Sequence, residues 1–260
     1  MTGWHQAPDF ANRCGAALVL GGSGAVGAAV AGLLIERGSA VALSYRRDSP
    51  RVAGLLAQSA DPAPLAYRLD LTDAGACAQT VAAVARDFGG IHSLVYAAGP
   101  LVPLVHLSRV SPQQFRHQLE SDAVAFFNAV QPALPHLRAA RGSIVAVTTA
   151  ATRRYPVRDG LSAAPKGAVE ALVRALAAEE GRFGVRANCV GPGMLEDGMA
   201  QRLIASGDLD QRALDIARAT IPLRRFGTAA DVAEAACFLA SERARYISGQ
   251  KLDVDGGFSV

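Results

Sequence analysis

The sequence predicts a single α/β domain built as a doubly wound, mostly parallel sheet with helices on both faces. Short apolar, β-prone runs alternate with longer segments of helical period, which is the pattern of repeated βαβ units. The connections between these segments are short, and no linker divides the 260 residues. One domain with one large core is therefore expected.

Seven strands are predicted, near residues 16–20, 40–45, 64–69, 91–96, 143–148, 185–190 and 251–254. Six helices are predicted between them, near residues 25–37, 51–59, 73–87, 112–138, 162–181 and 229–240. Left-handed caps are expected near the helix ends at Gly38, Gly89, Gly142 and Gly184. The segment 191–226 is rich in Met, Asp and Arg, and we expect it to form a helical lid over the ligand site.

Composition argues against several classes of protein. Half of the residues are hydrophobic and 19% are charged, so disorder is not expected. The net charge of +3 is spread without a basic block, which argues against nucleic acid as a main partner. The four cysteines are too far apart for a zinc site, so we expect no metal and buried free thiols in a reducing compartment. The first ten residues do not resemble a signal peptide, and no apolar run approaches about 18 residues, so a cytoplasmic protein is expected.

A glycine-rich turn joins the first predicted strand to the first predicted helix. Its residues are Gly21, Gly22, Ser23, Gly24, Val26 and Gly27. Glycines at these positions allow a tight turn, let the backbone approach a pyrophosphate, and direct the helix N-terminus at its negative charge. The turn predicts a dinucleotide site, the alternative being a glycine-rich turn without a ligand.

The end of the second predicted strand indicates which dinucleotide is preferred. An acid at this point binds the ribose hydroxyls of NAD, whereas an arginine binds the 2′-phosphate of NADP. The chain has Arg46 and Arg47 there, and no carboxylate occurs before Asp48. Either guanidinium offers a planar fork of donors to a phosphate, so NADP(H) is favoured over NAD(H). The alternative is a charged surface loop.

A set of motifs, in order along the chain, resembles the short-chain dehydrogenase/reductase family. The motifs are Gly21 to Gly27, Asp70-Leu71, Ala97-Ala98-Gly99, Lys166, Arg186 to Gly193 and Asp253 to Gly257. The resemblance covers about residues 13 to 260 and implies a seven-stranded parallel sheet of Rossmann type. It also implies a nicotinamide dinucleotide across the carboxyl edge of the sheet, and usually a tetramer.

The resemblance implies roles for the residues that match these motifs. Asp70, with Leu71 beside it, would contact the adenine, and the turn at Ala97, Ala98 and Gly99 would lie beneath the cofactor. Lys166 would hold the nicotinamide ribose, and Pro192 and Gly193 would border the nicotinamide. The chain departs from the family pattern at Ala25, Tyr96 and Asp197, where the family commonly has glycine, asparagine and threonine. The carboxylate of Asp197 is expected to weaken nicotinamide binding.

The predicted catalytic centre is altered. Family members that reduce ketones use a serine, a tyrosine and a lysine, the last two spaced as YxxxK, with an asparagine from an earlier helix. This chain has Thr149, Ser162, Lys166 and Asp122 at these positions, so only the lysine is kept. Thr149 can still hydrogen-bond a carbonyl, but Ser162 is a far weaker acid than a phenol, whose pKa is about 10. Pro165 predicts that the helix carrying Lys166 begins later than in the family.

Other residues offer limited alternatives for the missing proton donor. Tyr155 lies in the loop between Thr149 and Ser162 and is a candidate donor, although simple packing is the alternative reading. Some enoyl-thioester reductases of the family also have a serine at the Ser162 position, but their working tyrosine falls where this chain has Ala151. The histidines show no metal-ligand spacing and are expected at the surface or at helix ends: His5, His92, His106, His117 and His136.

Three functions are compatible with these residues. The favoured one is an NADP(H)-dependent oxidoreductase that reduces a carbonyl (3-oxoacyl-like) or enoyl group on a small or thioester substrate, since residues 101–107 suggest an apolar pocket. The second is a catalytically silent subunit that supports an active homologue in a mixed oligomer. The third is a redox-neutral isomerase, cyclase or dehydratase with Asp122 as base. The resemblance also implies a homotetramer or homodimer, with the helices near 112–138 and 162–181 and Val260 at the contacts.

Overall fold

The structure, a computed structural model, describes residues 9–100, 102–197 and 211–260. Its core is one sheet of seven parallel strands in the order β3-β2-β1-β4-β5-β6-β7. The strands are β1 (Ala16–Leu20), β2 (Ala40–Tyr45), β3 (Leu65–Arg68), β4 (Ile91–Tyr96), β5 (Ser143–Val147), β6 (Arg186–Pro192) and β7 (Lys251–Val254). The predicted doubly wound fold and all seven strands are confirmed.

Helices cover both faces of the sheet. They are α1 (Ala25–Glu36), α2 (Pro50–Leu56), α3 (Ala74–Phe88), α4 (Pro112–Leu119), α5 (Ala125–Ala140), α6 (Gly160–Glu180), α7 (Gln211–Ala219) and α8 (Ala229–Ala240). One apolar core lies between the sheet and α3, α5 and α6, and a second lies between the sheet and α1 and α8. All five residues of β1 are buried, as expected for a central parallel strand covered on both sides.

The strand order reverses between β1 and β4. In open α/β sheets such a point opens a crevice at the carboxyl ends of the strands, and ligands bind there. The glycine-rich turn follows β1, and the Ala97-Ala98-Gly99 turn follows β4. The topology therefore places the two predicted cofactor turns side by side at this crevice.

Two helices differ from their predicted course. The helix predicted near 112–138 is divided into α4 and α5 by a π-helical turn at Glu120–Val124, where the winding widens by one residue. Such turns are rare in proteins as a whole, and those that occur are often found at functional sites. Helix α6 begins at Gly160, two residues before the predicted bound, because Asp159 O accepts hydrogen bonds from Ser162 N and Ala163 N. Pro165 lies inside α6 without ending it.

The predicted lid is only partly described. Residues 198–210 lie outside the described residues, as does Leu101 of the loop after β4. Helix α7 covers residues 211–219, within the segment predicted to be helical, and Leu195 forms an isolated parallel bridge with Gly227. Among the described residues, no helix has the length and apolar character needed to cross a membrane.

The glycine after α5 has a different role from the predicted one. Gly38, Gly89 and Gly184 have φ angles of 82°, 75° and 79°, as expected for left-handed caps. At the end of α5, however, Arg141 takes the left-handed conformation, with φ 50°. Gly142 is required for space, because a Cβ atom there would lie 2.3 Å from the carbonyl oxygen of His92.

Three of the four cysteines are buried, as predicted, but Cys14 is exposed. Burial raises the pKa of the Cys77 thiol to about 11 and the pKa values of Cys189 and Cys237 to about 12. These three thiols therefore stay protonated at neutral pH and act as small apolar side chains.

His92 contradicts the expectation that the histidines lie at the surface or at helix ends. It is fully buried in β4, where its ring stacks on Phe10 and its nitrogens lie 3.2 Å from Ser39 Oγ and 3.0 Å from Ser93 Oγ. His106 and His117 are exposed and His136 is partly exposed, whereas His5 lies outside the described part of the chain. Burial lowers the pKa of His92 from 6.5 to about 3.

The buried imidazole predicts an acid-sensitive fold. Because the folded pKa is below the unfolded one, the contribution of His92 is complete above about pH 6.5 and is lost as the pH falls toward 3. We expect the free energy of unfolding to fall by about 2 kcal/mol between pH 7.5 and pH 5 from this group. Urea unfolding at both pH values measures it. His92→Gln should remove that part of the pH dependence and His106→Gln should not; identical pH dependence in all three proteins would contradict this account.

Candidate active site

The glycine turn after β1 is built around close backbone contacts. Gly21 has φ +90°, and its N–H lies 3.3 Å from Ser44 Oγ. Gly22 N donates to the carbonyl of Ser44 at 2.8 Å. A Cβ atom at Gly27 would lie 2.3 Å from the carbonyl oxygen of Gly21, so no larger residue fits without moving the backbone. The turn is thereby held against the ends of β1 and β2.

The N-terminus of α1 is open to a ligand. Gly24 precedes the helix with extended backbone angles, and no side chain caps the first turn. Ser23 and Val26 flank this point, and both are partly buried. Free N–H groups at the positive end of a helix bind phosphate. The residues present therefore fit the pyrophosphate of a dinucleotide.

The turn after β4 lies directly against the glycine turn. Ala97 N donates to the carbonyl of Leu20 at 2.9 Å, and a Cβ atom on Gly21 would lie 2.7 Å from Ala98 Cα. A Cβ atom on Gly99 would lie 3.5 Å from Lys166 Nζ. The structure thus brings Ala97, Ala98 and Gly99 between the glycine turn and the predicted catalytic lysine.

The residues predicted to bind the adenosine half of the cofactor lie just after β2 and β3. Arg46 and Arg47 are exposed immediately after β2. Asp70 accepts hydrogen bonds from Thr72 N and Thr72 Oγ1 at 3.0 and 2.8 Å, which lower its pKa, and the charge of Arg46 lowers it further. Arg46 is therefore close enough to Asp70 for their charges to interact.

The loop at Leu71 is fixed by a contact that the sequence did not predict. Asn128 Nδ2, on α5, donates to the carbonyl of Leu71 at 3.1 Å. A single asparagine in a helix carries no signal of its own in a sequence. Only the packing of α5 beside the loop after β3 reveals this contact.

Lys166 lies at the centre of the site and is buried. Its Nζ atom donates to Asp122 Oδ1 at 2.8 Å and to the carbonyl oxygen of Ala98 at 3.4 Å, and it lies 5.5 Å from the ring centroid of Tyr96. Asp122 lies in the π-helical turn and is only 1% exposed. The structure therefore joins two predicted catalytic residues in a buried ion pair.

Tyr96 is a fixed part of this cluster. Its hydroxyl donates to the carbonyl oxygen of Asp122 at 3.0 Å, and the residue is fully buried. Burial raises the pKa of Tyr96 well above its ordinary value, and the charge of Asp122 adds to the effect. The phenol consequently stays protonated and holds the π-helical turn against β4.

Thr149 and Ser162 lie on either side of the loop that leads into α6. Thr149 Oγ1 accepts from Ala151 N at 3.1 Å and caps a short 3-10 turn at Ala150–Thr152. Ser162 is partly exposed on α6, one helical turn before Lys166. Residues four apart lie on the same helix face, so Ser162 and Lys166 share one face. Tyr155 lies in the intervening loop and is 67% exposed.

The remaining predicted cofactor contacts lie at the end of β6. Gly193 N donates to the carbonyl of Val254 at 3.0 Å, which fixes the Pro192-Gly193 segment against β7. Asp197 Oδ2 accepts from Ala229 N at 2.8 Å and so caps the start of α8. This hydrogen bond holds the carboxylate of Asp197 at the N-terminus of α8.

Asp159 is a residue that the sequence analysis overlooked. It precedes α6 and lies three residues before Ser162, and this spacing is the signal that was available. Burial raises its pKa from 3.8 to about 6.

The comparisons with known proteins agree with this geometry. A crevice between β1 and β4, bounded by a glycine turn and an open helix N-terminus, defines a dinucleotide-binding protein of Rossmann type. The family model described as Enoyl-(Acyl carrier protein) reductase matches residues 22–259. The chain belongs to the short-chain dehydrogenase/reductase family and is an oxidoreductase of that type.

Similar proteins include dehydrogenases from distant organisms. The L-fucose dehydrogenase of Oryctolagus cuniculus is 32% identical over 240 residues, which are 92% of this chain and 83% of that protein. The cis-4-hydroxycyclohexanecarboxylate dehydrogenase of Sinomonas cyclohexanicum is 32% identical over 252 residues, 96% of this chain and 98% of that one. A short chain dehydrogenase of Burkholderia cenocepacia, solved in complex with NADP, superposes with a TM-score of 0.84 at 30% identity, covering 95% of this chain and 98% of the other.

Proposed function

We propose that the chain is an NADP(H)-dependent oxidoreductase that reduces a carbonyl (3-oxoacyl-like) or enoyl group, or oxidises the corresponding alcohol, with an atypical proton donor. The observation that carries this proposal is the convergence of three parts at one crevice. The glycine turn, the Ala97 to Gly99 turn and the buried Lys166 meet at the carboxyl ends of β1 and β4. This arrangement suits a dinucleotide at the sheet edge with a substrate above it.

NADP(H), when bound, would exchange a hydride with the substrate. The N-terminus of α1 would hold the pyrophosphate, and Lys166 would hold the nicotinamide ribose while Asp122 fixes its position. Arg46 would pair with the 2′-phosphate, supported by its position near Asp70. The NADP-bound relative supports the same choice of cofactor.

Cofactor titration tests this assignment. We expect Arg46→Ala combined with Arg47→Ala to weaken NADPH binding about 10- to 100-fold, because a charge-assisted hydrogen bond contributes about 1.5–3 kcal/mol. NADH binding should change by less than about threefold, since NADH lacks the 2′-phosphate. Nicotinamide fluorescence measures both affinities. Arg51→Ala, which changes an exposed arginine on the adjacent α2, is the matched control. Equal losses for NADPH and NADH would contradict a phosphate-binding role.

The proton donor is proposed to differ from that of ketone-reducing relatives. Ser162 stands four residues before Lys166, where the family tyrosine is expected, and Asp122 stands at the asparagine position. The ammonium of Lys166 is already paired with a carboxylate at 2.8 Å, so less of its charge is available to acidify a neighbouring hydroxyl. Thr149 is proposed to hydrogen-bond the substrate oxygen through its hydroxyl.

Two further proposals concern the surroundings of the site. The described residues of the predicted lid that follow β6, 193–197 and 211–226, would border the substrate, and the apolar loop after β4 would favour an acyl or otherwise hydrophobic substrate. The buried thiols suit a cytoplasmic, reducing environment. Val124, Phe127 and Val260 are exposed apolar residues on the elements where the family forms oligomers, which supports a homodimer or homotetramer.

The alternative proposals rest on the same altered residues. A silent subunit of a mixed oligomer would bind a nucleotide or no ligand at all, and would turn over no substrate. A redox-neutral enzyme would use Asp122 as base, but this carboxylate is buried and its Oδ1 atom already accepts a hydrogen bond from Lys166 Nζ at 2.8 Å, which leaves it less accessible to a substrate. The oxidoreductase reading is therefore preferred.

A further inference from the structure

Asp159 occupies a distinctive position relative to the predicted catalytic residues. Its carbonyl oxygen accepts from both Ser162 N at 3.0 Å and Ala163 N at 2.9 Å and so begins α6. Side chains three and four residues apart along a helix lie on the same face. Lys166 follows Ser162 after one further turn. Asp159, Ser162 and Lys166 therefore form one stripe along α6, and its inner end is the Asp122–Lys166 pair.

The loop after β4 covers the start of this stripe. Arg158 O accepts from Val105 N at 3.0 Å, and the guanidinium of Arg158 donates to the carbonyl oxygen of Leu104 at 2.6 and 3.0 Å. A Cβ atom at Gly160 would lie 2.8 Å from the side chain of Leu107. Asp159 lies between Arg158 and Gly160, the two residues that contact this apolar loop, and is itself half-buried. The loop is the one predicted to line the substrate pocket.

The carboxyl group of Asp159 has no structural task in the described part of the chain. An aspartate before a helix normally accepts hydrogen bonds from the first-turn N–H groups, but this side chain makes no capping bond. It forms no ion pair with described residues either. A shielded carboxyl without a partner is costly to ionise, and burial accordingly raises its pKa to about 6.

The other candidate donors are poorer. Tyr155 is mostly exposed, Ser162 is an aliphatic alcohol, and Tyr96 is fully buried with its hydroxyl donated to the carbonyl of Asp122. Only Asp159 combines a position on the stripe, an unpartnered acidic group and shielding from solvent.

From this geometry we propose that Asp159 is the catalytic acid and base that exchanges a proton with the substrate oxygen. This inference rests on the proposed oxidoreductase function. In reduction, the carbonyl carbon accepts a hydride from NADPH while the carbonyl oxygen takes the proton of the Asp159 carboxyl. An alcohol, NADP⁺ and the Asp159 carboxylate result, and the carboxylate regains a proton from solvent. Alcohol oxidation follows the reverse course.

The assignment predicts opposite pH profiles for the two directions. Reduction requires the protonated carboxyl, so its kcat should fall as the pH rises through about 6, whereas oxidation should rise over the same range. The charged groups on the neighbouring elements are His106 and Arg109 after β4, Arg158 in its own loop, and Lys166 on α6. None of them forms an ion pair with Asp159 among the described residues, so its own burial sets the profile.

The test compares Asp159→Asn with wild type, using NADPH and a substrate that the wild type reduces. Asp159→Asn should lower kcat about 100-fold or more, remove the pH dependence near 6, and leave NADPH binding within about threefold. Asp159→Glu should retain measurable turnover, and formate should restore part of the activity of Asp159→Ala. Glu179→Gln removes an exposed carboxylate from the far end of α6 and should leave turnover unchanged.

The outcomes separate this inference from the proposed function. An Asp159→Asn protein that keeps its kcat within threefold and its pH profile would overturn the role of Asp159 alone, and Tyr155→Phe and Ser162→Ala would then be compared. If no tested substrate supports NADPH oxidation by the wild type, the proposed function is overturned, and the role of Asp159 with it. Loss of kcat together with loss of NADPH binding and of formate rescue would also overturn the assignment, because it would indicate a structural role.

Discussion

Lys166→Met is expected to lower the free energy of unfolding by about 3–5 kcal/mol. The ammonium of Lys166 pairs with Asp122 at 2.8 Å, and the side chains are only 11% and 2% exposed. Removing one partner of a buried pair leaves an uncompensated charge in a poorly solvated site. Urea unfolding, followed by circular dichroism, measures the loss.

The double variant distinguishes this explanation from a simple packing defect. Lys166→Met combined with Asp122→Asn contains no buried charge at this position, so it should recover most of the stability lost in the single variant. Turnover should be absent from both proteins, because the lysine proposed to hold the nicotinamide ribose is missing. Arg86→Met, which breaks an exposed pair with Asp87, is the control and should cost less than about 1 kcal/mol. A double variant as unstable as Lys166→Met would refute the charge argument.

Gly27→Ala is expected to weaken NADPH binding by a factor of about 100 or more. The new Cβ atom would lie 2.3 Å from the carbonyl oxygen of Gly21, and because both groups belong to the backbone the glycine turn must move. Crowding of this kind also lowers stability by about 1–3 kcal/mol. Fluorescence titration with NADPH and urea unfolding measure the two effects.

Gly54→Ala is the matched control for this substitution. Gly54 lies in α2 with nothing within 4 Å of a Cβ atom. Alanine there should leave NADPH binding unchanged and raise stability by about 0.5–1 kcal/mol, because glycine disfavours helices. If Gly27→Ala binds NADPH as tightly as Gly54→Ala, the glycine turn is not a phosphate cradle.

The architecture could be predicted because buried parallel strands have nearly continuous apolar sequences. Ala16–Leu20 is such a sequence, and Ile91–Tyr96 is one that only His92 and Ser93 interrupt; both strands are fully buried. The error at His92 has another cause: because the histidines show no metal-ligand spacing, His92 was expected at the surface or at a helix end. Its ring is accommodated by Ser39, 53 residues away, and by the adjacent Ser93.

The site could be predicted only where local spacing determines it. The glycine turn, Lys166 and Ser162 follow from spacing along the chain, whereas the ion pair with Asp122 joins residues 44 positions apart. Asp122 lies in the π-helical turn, and a turn of five residues is too short to be recognised from a periodic pattern in the sequence. Asp159 was overlooked because its burial arises from the separate loop after β4.

The most direct measurement is the oxidation of NADPH by the purified wild type, followed by absorbance and fluorescence. The panel contains 3-oxoacyl and enoyl thioesters, with L-fucose and cyclic alcohols offered with NADP⁺ in the reverse direction. We predict saturable NADPH binding and turnover of at least one carbonyl, enoyl or alcohol substrate, with NADPH preferred over NADH. Tight binding without turnover of any substrate would contradict an oxidoreductase and favour a silent subunit or a redox-neutral enzyme. Failure to bind either dinucleotide would mean that the glycine turn has only a structural role and binds no ligand.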